Sequence, residues 1–141
     1  MCRVPWYLRA VPTSAESLLA AARAAATRAY APYSRFRVGA AVESELGVFA
    51  GCNVENASYG LCLCAERTAL ASAIAAGARK FSAVAVTCLD ARADLGLNGR
   101  TPCGACRQWL LELAPEADVW IDGVDRSFKV RDLLPHGFQL A

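Results

Sequence analysis

The sequence has little net charge, no basic run, no long apolar stretch and a single histidine, and each shortage narrows what the chain can be. Fifteen Lys and Arg against 13 Asp and Glu leave a formal charge of +2, too small to argue for a nucleic-acid partner, and no cluster of basic residues marks a patch. No segment reaches the roughly 18 uninterrupted apolar residues expected of a membrane span. The opening Met1-Cys2-Arg3-Val4-Pro5-Trp6-Tyr7-Leu8-Arg9 does not run from a basic segment into an apolar one, so secretion is not expected. No internal repeat, low-complexity tail or second domain is visible. The 7 cysteines are an odd number, which without a signal peptide does not describe a disulfide framework. A reducing, cytoplasmic setting suits them best. The lone histidine, His136, reads as a loop residue.

What is present is a globular composition. With 141 residues, 55% of them hydrophobic and 20% charged, the chain suits one domain over 1–141 with a buried core. Residues 1–12, with Pro5 and Pro12, read as an irregular arm. From there Thr13 or Ser14 can cap an alanine-rich helix running to about Arg28, with Glu16 at its positive end. Phe36–Val42 and Val48–Val54 read as strands joined by a polar hairpin connection, and 53–60 as a loop dense in hydrogen-bonding side chains. A helix is expected from Cys64 to about Ala76, stopped by Gly77. Phe81–Thr87 reads as a central strand, 90–100 as a loop, and Cys103 to about Leu113 as a third helix. Short strands at Val119–Asp122 and Ser127–Val130 and a helical turn at Arg131–Leu134 complete an α/β layered order.

Chemistry gathers at two places. Cys64-Ala65-Glu66 begins one expected helix, and Pro102-Cys103-Gly104-Ala105-Cys106 begins another. Helix starts carry unpaired N–H groups and partial positive charge, which stabilise thiolates. Cys103 and Cys106, at i and i+3, share a helical face. Three thiolates could hold one zinc ion and leave its fourth position open, the arrangement of a catalytic site. Glu66 is then placed to move protons beside the metal. Three thiolates outweigh the charge of Zn²⁺, and Arg67 is the natural compensating cation, against the plainer reading of a surface salt bridge. A structural zinc ribbon would show a second Cys-x-x-Cys, whereas here Cys62-Leu63-Cys64 stands upstream. Cys62 as a fourth ligand would close the site. Ligand-x-Glu followed by Pro-Cys-x-x-Cys is the signature of the zinc deaminases in its three-cysteine form. Cys52 and Cys88 read as small core residues on strands, and Cys2 as incidental.

Four stretches in order carry a wider likeness: Tyr30-Ala31-Pro32-Tyr33-Ser34-Arg35-Phe36-Arg37-Val38-Gly39-Ala40-Ala41, Gly51-Cys52-Asn53-Val54-Glu55-Asn56-Ala57-Ser58-Tyr59, Cys64-Ala65-Glu66-Arg67-Thr68-Ala69 and Pro102-Cys103-Gly104-Ala105-Cys106-Arg107-Gln108. In these the chain resembles the small, homotetrameric cytidine deaminases from about Tyr30 to Phe138. The resemblance implies a three-layer α/β/α sandwich with a central mixed sheet of about five strands. It implies one Zn²⁺ per chain on Cys64, Cys103 and Cys106. Glu66 would take a proton from the zinc-activated water, deliver it to the pyrimidine N3, and help the amino group leave as ammonia. Asn53 and Glu55 would grip the ribose hydroxyls, Phe36 would pack on the base (core packing being the alternative), and the Ala65 N–H would bind the base carbonyl. Ala57, Tyr59 and Phe138 match residues that neighbouring subunits contribute to a shared site in a homotetramer.

The implied reaction is hydrolysis of cytidine and 2′-deoxycytidine to uridine and 2′-deoxyuridine, a salvage reaction on a small nucleoside with no nucleic-acid or membrane partner. A deaminase of an aminoacyl-nucleoside antibiotic of the blasticidin S type shares the Cys-Ala-Glu and Pro-Cys-x-x-Cys elements, and the short ending after Phe138 keeps it as a rival. Asn53-Val54-Glu55-Asn56 argues for plain cytidine. A nucleic-acid-editing deaminase is disfavoured by the near-neutral charge. A non-catalytic, zinc-stabilised module is the remaining alternative.

Overall fold

The computed structural model describes residues 14–140; the expected arm over 1–12, and Cys2 with it, lies outside them. Helix α1 spans Ala15–Ala26 and is capped by Ser14, whose hydroxyl accepts from the Ser17 N–H at 3.2 Å. Its buried face is made of Leu18, Leu19 and three alanines, Ala22, Ala25 and Ala26. Small side chains let the backbone come close. A Cβ added at Gly39 would stand 2.0 Å from the Ala22 carbonyl oxygen, so the strand beneath α1 must carry glycine there.

That strand, β1 (Val38–Ser44), pairs antiparallel with β2 (Gly47–Cys52). The connection is tighter than the sequence suggested: Ser44 pairs with Gly47, leaving only Glu45 and Leu46 in the turn. Gly47 has φ 119°, which favours glycine, and the Ser44 hydroxyl bonds the Gly47 carbonyl at 2.9 Å. Helix α2 (Ala65–Ala75), strand β3 (Phe81–Cys88), helix α3 (Gly104–Leu113), strands β4 (Asp118–Ile121) and β5 (Ser127–Lys129), and a helical turn α4 (Val130–Leu133) follow. Sheet order is β2-β1-β3-β4-β5, with only β3 and β4 parallel. The crossover between those two carries α3, as a parallel connection requires.

The period of two along the strands sorts side chains onto two faces. Ala41, Ala83 and Ala85 meet α1. Ala40, Val42, Val84, Val86, Val119 and Ile121 meet the residues of α2 and α3 in the larger core cluster. Helices therefore cover both faces of a five-stranded mixed sheet, the three-layer arrangement expected. Strand β1 starts two residues later than expected. Arg35 sits at φ 55°, and the Phe36 N–H turns back to the Ser34 hydroxyl, so Phe36 belongs to a turn at the mouth of the next layer. Both N-termini of α2 and α3 open at that same end, beside the last residue of β3.

Candidate active site

Cys64 and Cys103 are the N-cap residues of α2 and α3, and neither side chain is used as a cap. Their backbones are extended, with ψ 154° and 169°, so each thiol stands at the mouth of its helix rather than inside it. Cys106 lies buried in the first turn of α3. The three sulfurs lie within 4.8 Å of one another, and Cys64 and Cys103 are 3.8 Å apart. A tetrahedral zinc with bonds of about 2.3 Å has sulfur–sulfur edges of about 3.8 Å, so the donor set fits that ion. Cys62 does not join the cluster. Its sulfur accepts from the Asn56 N–H at 3.2 Å and faces the Asn56 carbonyl, so a closed four-cysteine site is not what the chain builds.

The three thiols are close enough to perturb one another. A hydrogen bond from Cys106 is the largest cause that holds Cys64 down at about 5, with Arg67 and Cys103 adding to it. The same bond pushes the Cys106 thiol up. The arrangement favours the thiolate at Cys64, beside Arg67. The Nη2 of Arg67 donates to the Cys62 carbonyl at 3.0 Å and to the Cys64 sulfur at 3.7 Å, so the arginine meets the thiolate instead of a surface carboxylate.

Glu66 is only 4% exposed. Burial pushes its carboxyl up to about 7, the neighbouring Cys64 thiolate adds to this, and Arg67 opposes it. A buried carboxyl poised near neutrality can take and return a proton. Ala65, fully buried, is the first residue of α2, and its N–H has no helical acceptor.

A residue outside the expected set fixes the second ligand turn. Arg107 donates through Nε to the Pro102 carbonyl at 2.7 Å, through Nη1 to the Leu133 carbonyl at 2.7 Å, and through Nη2 to the Thr101 hydroxyl at 3.0 Å. One guanidinium thereby ties the Thr101-Pro102-Cys103 segment to α3 and α4.

A cavity of about 260 Å³ opens over the cluster. Phe36, Asn53, Glu55, Cys64, Glu66 and Cys103 line it together, so six expected residues from four segments meet. Asn53 is also structural: its side-chain oxygen accepts from the Val38 N–H at 2.8 Å and its amide donates to the Phe36 carbonyl at 2.9 Å. Glu55 accepts from the Tyr33 and Ser34 N–H groups and from the Ser34 hydroxyl, and these bonds hold its carboxyl below the usual range, the hydroxyl most. Ala57, Tyr59 and Phe138 do not line this chain's own cavity. Tyr59 is 72% and Phe138 68% exposed, and Phe138 is fastened by its backbone to the Gln108 amide on α3.

Residues 12–121 match the family model described as the cytidine and deoxycytidylate deaminase zinc-binding region. A cytidine deaminase of Sporosarcina psychrophila is 45% identical over 128 residues, 87% of this chain and 90% of that one. The chain belongs to the cytidine deaminase family. Among solved structures, the cytidine deaminase of Burkholderia pseudomallei superposes with a TM-score of 0.77 at 50% identity, covering 87% of this chain and 98% of that chain. The cytidine deaminase of Mycobacterium tuberculosis gives 0.76 at 40% identity over 91% and 99%. Membership, together with a three-sulfur cluster of the right spacing, makes zinc the cofactor.

Arg100 and Thr101, which the sequence did not single out, also line the cavity, and so does Cys88. Cys88 was expected in the core. It is the last residue of β3 and stands in the Val84–Val86 row, one step beyond the cover of α2 and α3, so it faces the cavity. Burial pushes its thiol up to about 11, and it is inert as a nucleophile near neutral pH. The signal for Arg100 and Thr101 was adjacency: they immediately precede Pro102-Cys103.

Proposed function

We propose that the protein catalyses the hydrolytic deamination of cytidine and 2′-deoxycytidine to uridine and 2′-deoxyuridine, releasing ammonia. The observation that carries this reading is the buried carboxyl of Glu66 beside three convergent thiols, at the floor of a cavity large enough for a nucleoside base. Cys64, Cys103 and Cys106 hold the zinc, which when bound supplies Lewis-acid activation of water. Glu66 takes one proton of the attacking water and delivers it to N3, then takes the proton of the new C4 hydroxyl as the carbonyl forms and gives it to the amino group, which leaves as ammonia. Arg67 offsets the excess charge of the thiolates. The Ala65 N–H orients the base through its carbonyl, and Phe36 packs on the ring. Asn53 and Glu55 grip the ribose hydroxyls. Because both ends of the Asn53 amide already serve the backbone, it reaches ribose through its second amide hydrogen and second lone pair.

The protein is a homotetramer in this reading, with Ala57, Tyr59 and Phe138 of neighbouring copies closing each site. Their exposure supports this, as does an apolar groove of about 610 Å³ lined by Ile74 of α2 and Trp109 and Leu113 of α3. No helix among the described residues is long and apolar enough to cross a membrane, and the cysteine usage supports a cytoplasmic location.

The test is loss of the cytidine absorbance band with zinc-quantified protein, beside Glu66→Gln. Conversion that falls by about 10²-fold or more in the variant, with zinc and fold retained, is expected for a lost proton shuttle. A wild-type protein holding one zinc per chain and converting neither nucleoside would overturn the reading in favour of the antibiotic-nucleoside or structural-zinc alternatives.

A further inference from the structure

Arg100 is a cation in the active-site wall that the mechanism does not use. Its Nε is buried without a hydrogen-bond partner. Its Nη2 reaches only the Arg92 carbonyl, at 3.4 Å, and it takes part in none of the ion pairs among the described residues. Its backbone is fixed, since the N–H groups of both Arg100 and Thr101 bond the Leu97 carbonyl at 3.0 and 3.1 Å. Space around the guanidinium is kept by Gly123, where an added Cβ would stand 3.1 Å from Nη1.

Arg100 lines two cavities. A side chamber of about 180 Å³ adjoins the first, sharing Val86, Cys88 and Arg100 as walls and reaching Asp122 and Gly123. The one carboxylate there, Asp122, is saturated: it takes Nε and Nη2 of Arg23 at 2.8 and 2.6 Å and the Thr87 hydroxyl at 2.6 Å. The unspent charge in the chamber is therefore positive and belongs to Arg100.

The proposed function orients the base within this frame. N1 leads toward Asn53 and Glu55, C4 stands at the sulfur cluster, and the O2 and N3 positions face Ala65 and Glu66 on α2. The remaining edge, C5 and C6, points away from α2 toward the end of β3 and the segment before Cys103. C5, being adjacent to C4, is the deeper of the two atoms and looks toward Cys88 and Arg100.

We propose that Arg100 is a specificity residue that admits cytidine nucleosides bearing an oxygen-rich C5 substituent, a carboxylate above all, with the substituent entering the side chamber. A guanidinium offers a planar pair of donors that match a carboxylate, and charge-assisted bonds of this kind are the strong ones. A methyl group at C5 instead covers those donors without satisfying them, which a polar site penalises. The proposal rests on the cytidine deaminase reading and adds the chemistry of its C5 subsite.

The experiment compares kcat/KM for 5-carboxycytidine and 5-methylcytidine in the wild type, Arg100→Leu and Arg100→Lys, each zinc-quantified. Taking the ratio of the two substrates cancels any general loss of catalysis. Calorimetric titration with the products, 5-carboxyuridine and 5-methyluridine, reads the same preference without turnover. A carboxy-to-methyl ratio that falls by about fivefold or more in Arg100→Leu and recovers partly in Arg100→Lys, in both assays, is the expected result for loss of a charge-assisted pair. A smaller change overturns the inference, as does failure of the wild type to bind 5-carboxyuridine. Failure of the wild type to convert plain cytidine strikes the proposed function instead, and the product titrations still decide the role of Arg100.

Discussion

Gly51→Ala is the perturbation that most directly connects the fold to the site. Gly51 lies on β2 under the first turns of α2, and a Cβ placed there would stand 2.5 Å from the Ala69 nitrogen, 2.9 Å from the Ala65 carbonyl oxygen and 2.9 Å from the Thr68 Cβ. Two of these are helix backbone, so no side chain can swing aside. Restoring an ordinary separation of about 3.5 Å requires α2 to rise by about 1 Å. That helix carries Cys64 at its cap and Glu66 in its first turn, whereas Cys103 and Cys106 ride on α3. A metal site tolerates errors of about 0.2 Å in its ligand distances, so the same shift that overpacks the core also pulls one sulfur off the tetrahedron. Overpacking of this kind costs about 1–3 kcal/mol, which in a chain of this size lowers Tm by about 3–10 °C. Competition with a chromophoric chelator should show zinc affinity down by about tenfold or more, since even an outer-sphere loss costs that much. Gly39→Ala is the control, because its contact is with Ala22 and Ala26 of α1 on the opposite face. It should lower Tm with much less change in zinc affinity. Equal zinc affinity in wild type and Gly51→Ala, or equal losses in the two glycine variants, would refute the argument that this contact sets the position of Cys64.

Cys106→Ser should release zinc from the purified protein while Cys62→Ser keeps one zinc per chain, read by metal analysis after dialysis; zinc loss from the second variant would return Cys62 to the ligand set. Asp122 gives a pH prediction. The Arg23 guanidinium, chiefly, and the Thr87 hydroxyl hold its carboxyl below the ordinary 3.8, so its folded pKa is the lower one. The stabilisation is then complete above the ordinary value and is lost as pH falls through the folded one. Asp122→Asn should therefore lower stability by about 1–3 kcal/mol at neutral pH, and the stabilities of the two proteins should begin to approach one another only below about pH 4 and meet once pH has passed below the folded value.

What could be read from the sequence follows from how local each cause is. The cap at Ser14, the alanine face of α1 and the small residues of α2 act within a few positions of themselves, and so do the ligand spacings at the two helix starts. The placement of Cys64, Glu66, Cys103 and Cys106 at one point was legible for that reason: both helices advertise their starts, and thiolates prefer those starts. Arg100 and Cys88 were not legible, because nothing near them in sequence states that β3 outruns its helical cover by one residue or that the 89–101 loop folds back over that end. Asn53 shows the intermediate case. Its place in the cavity wall was expected from the likeness carried by the Asn-Val-Glu-Asn segment, but its grip on the Val38 and Phe36 backbone was not, since those partners are 15 and 17 residues away. That grip changes what the residue is for. By holding the entry to β1, Asn53 sets where Phe36 stands, so the residue read as a ribose contact also builds the wall against which the base is expected to pack. Ala57, Tyr59 and Phe138, by contrast, stay outside their own cavity. Phe138 is held there by its backbone bonds to the Gln108 side chain on α3.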